Sequence, residues 1–306
     1  MSLRKSIRFV LAVLLILSGL AACSGTAAPV TAGPLRVLAV ESFLGDIARN
    51  VAGDRLQVET LIPLGVDPHE YQPSAQDVAR IADSQVLIIN GLGYEWWLQK
   101  TLDNAGGDRL TVTAADGLTP RPDPSGSHPD GDPHMWLDPN NVIHYVENIR
   151  DGLSKADPQG AAVYAANADS YIKQLKLLDQ WIVERVSTVN PSHRLLVTNH
   201  ESLGYFADRY GFTIVGAVIP SFSSDSSPTA RDMADLIQQI KQTGATVLLL
   251  DVGANPNLAQ QIASETGVRV VTDLYIETLS APDGPAPSYL MMMRHDVDLI
   301  VAACAT

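Results

Sequence analysis

The chain has 306 residues, 46% of them hydrophobic and 18% charged, which excludes a disordered polypeptide and is enough to bury a large core or two domains. Its 34 acidic residues outnumber 21 basic ones, giving a formal charge of −13 at pH 7. Nucleic acid is a poor partner for such a surface, because affinity there comes from Lys and Arg neutralising phosphates; cations are attracted instead.

Residues 1–22 read as a leader. Arg4, Lys5 and Arg8 form a positive start, and Phe9 to Leu20 is an apolar run too short to span a bilayer comfortably. It ends Leu20-Ala21-Ala22-Cys23, which resembles a bacterial lipobox, so Cys23 is expected to be the lipidated first residue of the mature protein. The alternative is an ordinary signal peptide cut at small residues. Residues 23–34, rich in Gly, Ala, Thr and Pro, read as a flexible tether. Cys304 is then the one remaining thiol, so no intramolecular disulfide is available, and its apolar surroundings suggest a small buried hydrophobe.

From Leu35 the chain alternates strand and helix signals. Leu35–Glu41, Gln57–Ile62, Val86–Asn90 and Leu110–Thr113 read as strands. Between them lie a helix from an N-cap at Ser42 to Ala52, one over Ala75–Ala82 opened by the capping box Ser74/Asp77, and one through Trp96, Trp97 and Leu102. Ala115–Asp132 is a long Pro/Gly/Asp/Ser loop carrying His128. A helix is expected from Pro139 to about Asp157, then a rod from Pro158 to Val189, about 45 Å long. A second series follows, with strands at Arg194–Thr198, Thr213–Val218, Thr246–Leu250 and Arg269–Val271. Its helices fall near 203–210, 229–243, 257–266 and 288–305. This pattern predicts an α/β fold with two lobes, residues 35–157 and 191–306. Each holds a roughly four-stranded parallel sheet flanked by helices, and a rigid linking helix at 158–190 joins them.

Three histidines stand out. His69 lies in Asp67-Pro68-His69-Glu70-Tyr71, His134 in Asp132-Pro133-His134-Met135-Trp136-Leu137-Asp138-Pro139, and His200 in Thr198-Asn199-His200-Glu201. The Pro-rich surroundings of His134 predict a non-helical loop. The intervals of 65 and 66 positions fit no local zinc motif, so only a whole fold could unite the three. Ligands of open α/β sheets bind beyond the carboxyl ends of the strands, and there the three rings would converge between the lobes. Three imidazoles suit zinc, copper, nickel or iron, and a fourth donor from the second lobe could be Asp273 or Glu277. His128, His144, His193 and His295 read as ordinary surface or structural residues. Glu70, Tyr71, Trp136, Asp138 and Tyr205 read either as supports that orient the imidazoles or as packing and turn residues.

Taken together, the lipobox, the His69, His134 and His200 strings, Leu274-Tyr275-Ile276-Glu277-Thr278-Leu279-Ser280 and the closing Ser288-Tyr289-Leu290-Met291 resemble the zinc- and manganese-binding lipoproteins of ABC importers, the ZnuA/TroA-like group. The resemblance covers the whole mature chain. It implies a monomer anchored on the extracytoplasmic face of the cell membrane through Cys23, which holds its metal between two lobes and delivers it to an ABC permease. It also implies the metal ligands His69, His134, His200 and Glu277. The family's fourth ligand is usually an aspartate, so Glu277 is a departure, with Asp273 as second choice. Histidine at the third position, where manganese-selective relatives tend to carry a carboxylate, favours Zn(II) first and Mn(II) second.

Two other readings use the same residues. A surface adhesin-like lipoprotein would have an identical metal site. A zinc hydrolase would need an open coordination position and a general base, and the chain has neither His-Glu-x-x-His nor Gly-x-Ser-x-Gly.

Overall fold

The computed structural model describes residues 35–123 and 126–305; the expected leader, the tether and Cys23 lie outside the described residues. The first lobe runs β1 (Val37–Ala39), α1 (Ser42–Ala52), β2 (Val58–Thr60), α2 (Ala75–Asp83), β3 (Val86–Ile89), α3 (Leu98–Ala105) and β4 (Leu110–Thr113). Its strands are short and apolar, β3 being Val-Leu-Ile-Ile, as suits a sheet covered on both faces. They pair in parallel in the order β2-β1-β3-β4. After α4 (Pro139–Ala156) and the 27-residue α5 (Ala161–Ser187), the second lobe repeats the plan. It comprises β5 (Leu195–His200), α6 (Gly204–Tyr210), β6 (Thr213–Ile219), α7 (Ala230–Thr243), β7 (Val247–Asp251), α8 (Pro256–Thr266), β8 (Arg269–Leu274) and α9 (Tyr289–Cys304). Its order, β6-β5-β7-β8, repeats that of the first sheet. In each sheet the order reverses beside the first strand, which opens a crevice at the carboxyl ends of the strands.

The linking helix packs rather than merely spans. Tyr164, Ala168, Tyr171, Leu175, Leu178, Ile182 and Val186 recur every three or four residues and are buried. They belong to one apolar cluster with Phe43 and Trp136 from the first half and Tyr289, Met292 and Val297 from α9. A continuous core therefore ties both lobes to one rod. Cys304 is buried in this core, as a small apolar residue would be.

Several local expectations are corrected. Pro158–Gly160 forms a 3-10 turn, so the rod starts at Ala161. Met135–Leu137, in the Pro-rich stretch, is also a 3-10 turn. Trp96 and Trp97 precede α3 instead of lying within it, because the Glu95 carboxylate takes the amides of Asn90 and Gly91 and holds the chain in a turn. Ser42 is the first residue of α1 rather than its cap, and its hydroxyl serves the second lobe, as described below. The Ser74/Asp77 capping box forms as expected.

Candidate metal centre

Each of the three histidines is held by its own neighbours. In the loop after β2, the His69 amide donates to Asp67 Oδ1 at 2.8 Å. The indole nitrogens of Trp96 and Trp97 donate to the carbonyls of His69 and Pro68, at 2.9 and 3.2 Å. Asp132 Oδ1 accepts from both the amide and Nδ1 of His134, at 3.0 and 2.8 Å. His200 is the last residue of β5, and its Nδ1 lies 3.4 Å from Asp251 Oδ2 at the end of β7. An Nδ1 fixed by a carboxylate leaves Nε2 as the metal-facing atom.

Glu277 is placed by the other lobe. Trp136 Nε1 donates to the Ile276 carbonyl at 2.8 Å, and Ser42 Oγ accepts the Leu279 amide at 2.9 Å. The Gly65 amide donates to Thr278 Oγ1 at 3.0 Å. Three first-lobe groups thus grip the segment that carries a second-lobe carboxylate.

The four side chains meet at one point. Glu277 Oε1 is 3.0 Å from His69 Nε2, 3.3 Å from His134 Nε2 and 3.1 Å from His200 Nε2. The His134 and His200 Nε2 atoms are 3.3 Å apart, and all four donors fall within 4.8 Å. His134 and His200 are 0% exposed, His69 2% and Glu277 6%. A tetrahedron with metal–nitrogen bonds near 2.0–2.1 Å has edges of about 3.4 Å. The four separations among Glu277 Oε1 and its three imidazoles and between His134 and His200 lie close to that spacing, so a small divalent ion fits between the donors.

Asp273 is not part of the cluster. It sits exposed near the end of β8 in a left-handed conformation (φ 68°), with its carboxylate on Thr272 and its carbonyl facing His295. His144 lies near Glu147 on the outer face of α4, His193 is in a short turn, and His128 faces Asp123 and Phe222. Of the suggested supports, Trp136 and Tyr205 touch the site's framework, the latter through a bond to the Asp132 carbonyl at 2.7 Å. Asp138 caps α4, Tyr71 packs on Trp97, and Glu70 is exposed. Asp67, Asp132, Asp251, Ser42 and Trp96 were not anticipated. For Asp132 and Asp67 the signal was available, since each stands two residues before its histidine in Asp-Pro-His.

Burial alone would strip protons from His134 and His200, but nearby carboxylates outweigh it. His134 is raised above the ordinary imidazole value by Asp132 and Glu277, and His200 well above it by Glu277 and Asp251. Burial would push Glu277 upwards, yet the charges of His69 and His200 and the hydrogen bonds of His134 and His200 hold it well below the usual carboxylate range. The site therefore demands positive charge at its centre.

A family model for the zinc-uptake complex component A, periplasmic, matches residues 37–303. The chain belongs to this family. Its members are metal-binding, substrate-binding components of ABC importers, not enzymes. Among relatives of this ZnuA-family chain, the manganese-binding lipoprotein MntA of Halalkalibacterium halodurans is 33% identical, over 88% of each chain. The iron-binding protein YfeA of Yersinia pestis is 31% identical over 88% of this chain and 86% of its own. A Mn-bound periplasmic metal-binding protein from candidatus Liberibacter asiaticus superposes with a TM-score of 0.79 at 31% identity, covering 88% of this chain and 99% of that one. The periplasmic zinc-binding protein TroA from Treponema pallidum shares the fold, with a TM-score of 0.83 at 24% identity over 90% and 100% of the two chains.

Proposed function

We propose that this protein captures Zn(II), with Mn(II) second, on His69, His134, His200 and Glu277 and passes it to an ABC permease. The observation that carries the reading is that Glu277 Oε1 lies 3.0–3.3 Å from all three Nε2 atoms and the His134 and His200 Nε2 atoms lie 3.3 Å apart, close to the edges of a tetrahedral zinc site. Three nitrogens and one carboxylate also favour zinc over manganese by ligand type, and zinc stands higher in intrinsic affinity. The relatives are named for manganese, iron and zinc, so donor chemistry is what selects among these metals here. In this reading residues 35–157 and 191–306 are the two lobes that close on the ion, and residues 158–190 link them. Cys23 carries the lipid that holds a monomeric protein at the extracytoplasmic face, beside its permease. Metal analysis of the purified protein, followed by competition between Zn²⁺ and Mn²⁺, tests the proposal. Preferential retention of Mn²⁺ at equal concentrations would refute the zinc assignment, and a Glu277→Gln variant that binds zinc normally would refute the ligand set.

A further inference from the structure

We propose that Arg121 is a positioning residue that latches the two lobes over the metal centre and sets how fast the ion leaves. The inference deepens the transport reading above and rests on it.

Arg121 belongs to the first-lobe loop before Asp132, yet its side-chain hydrogen bonds reach α6 of the second lobe. Its Nη1 donates to the Gly204 carbonyl at 3.2 Å and to the Asp208 carboxylate. Its Nε lies 3.6 Å from Asp132 Oδ2, while the other oxygen of that carboxylate holds Nδ1 of His134. One guanidinium thus connects the second lobe to the group that aims a first-lobe imidazole. The Tyr205 hydroxyl repeats the tie: it accepts from the Arg121 amide at 2.9 Å and donates to the Asp132 carbonyl at 2.7 Å. A planar, multiply donating guanidinium can serve these acceptors together where an ammonium cannot.

Gly204 makes room for this arrangement. A Cβ there would stand 2.6 Å from Arg121 Nε and 3.0 Å from Asp132 Oδ2. No left-handed backbone requires glycine at this position, and within a helix glycine costs stability relative to alanine. The missing side chain is explained by the guanidinium. A cavity of about 510 Å³ opens beside Arg121, Asp132 and Gly204, so the arginine can swing away without repacking the core. Its side chain is 37% exposed, so the latch is of modest strength, suited to a contact that must open in each transport cycle.

The test is the dissociation rate of Zn²⁺ from the full chain, read by stopped flow after mixing with excess chelator, with association rate and metal-free melting temperature alongside. Arg121→Ala should raise the dissociation rate about five- to tenfold and leave association within about twofold, the loss expected for charge-assisted hydrogen bonds in a half-exposed setting. Gly204→Ala should reproduce the faster release without lowering the metal-free melting temperature, because alanine favours the helix. Asp208→Asn should show a smaller rise, and Arg121→Lys should recover part of the loss. Dissociation within twofold of wild type in both Arg121→Ala and Gly204→Ala would overturn the latch. So would fast release confined to Arg121→Ala and accompanied by a lower metal-free melting temperature, which would mark a general structural role. A wild-type protein that retains neither Zn²⁺ nor Mn²⁺ would sink the transport reading itself, an outcome distinct from retention with unaltered rates.

Discussion

Zinc affinity should fall with acid more steeply, and from a higher pH, than a free imidazole would dictate. A ligating imidazole must give up its Nε2 proton, and both His134 and His200 hold that proton above the ordinary value near 6.5, under the influence of Asp132, Asp251 and Glu277. Glu277, held well below its usual range, stays ionised and adds no proton to the exchange. Once the pH is below both raised values, these two imidazoles alone release two protons per metal ion bound, so apparent affinity drops at least about a hundredfold per pH unit. At 1.36 kcal/mol per decade, each pH unit in that range costs about 2.7 kcal/mol of binding free energy. The metal-free protein should respond in the opposite sense. A raised folded pKa stabilises fully below the unfolded value near 6.5, and that contribution is lost as pH rises through the folded value. Buried Glu41 and Asp296, both pushed well above the carboxylate range, act in the same direction. Acidification from pH 8 to 6 should therefore raise the melting temperature of the metal-free protein while lowering that of the zinc-loaded one. Chelator competition at half-unit pH steps measures the first effect and scanning calorimetry the second. A slope shallower than one decade per pH unit between pH 5.5 and 7 would refute the two-proton exchange.

Three further outcomes follow from the same geometry. Glu277→Gln should weaken zinc binding by about a hundredfold or more, because it removes the sole anionic donor, whereas Asp273→Asn should change it by less than about twofold; calorimetric titration separates the two. His200→Asp should move preference from Zn²⁺ towards Mn²⁺ by exchanging a borderline nitrogen for a hard oxygen, and unchanged discrimination in competition assays would contradict the role given to the third imidazole. Trp136→Phe should destabilise the protein by about 2–4 kcal/mol, since it strands the buried Ile276 carbonyl and leaves space beside Phe43 and Tyr94. Thermal unfolding should register that loss as about 4–12 °C.

The alternation of strand and helix, the rod and two of the imidazoles, His69 and His134, were legible because each leaves a local mark: apolar runs of four or five, a long 3.6-residue period, and Asp-Pro-His. Glu277 was legible only through its surrounding string, since a lone loop glutamate carries no signal. Asp251 was not legible at all. It supports His200 because β5 and β7 pair in parallel with Val197 opposite Leu248, which brings the two strand ends level. Register of that kind is fixed by whole-sheet packing and cannot be read from either strand. Ser42 failed for a related reason. A serine at a helix start reads as a cap, but tertiary contact turned its hydroxyl to the Leu279 amide, some 237 positions away. The tryptophan pair was misplaced because a single carboxylate, Glu95, overrode helical propensity and bent the chain.

The distribution of donors between the lobes bears on how an ion held by the four proposed ligands would be released. His69 and His134 come from the first lobe, while His200 and Glu277 come from the second. With that ligand set, any separation of the lobes would remove half of the coordination shell at once, so release need not proceed through stepwise loss of ligands. Closure without a cation brings Glu277 against imidazoles that must then retain protons, because an uncompensated buried carboxylate is costly. Protons and metal thus compete for the same closed arrangement, and the metal can bias it only by its differential affinity for closed over open. The bonds that span the cleft away from the ion, Ser42 to Leu279, Trp136 to Ile276 and Arg121 to α6, act on that same balance. If capture begins from an open form in which they are broken, weakening any one of them should speed release more than it slows capture.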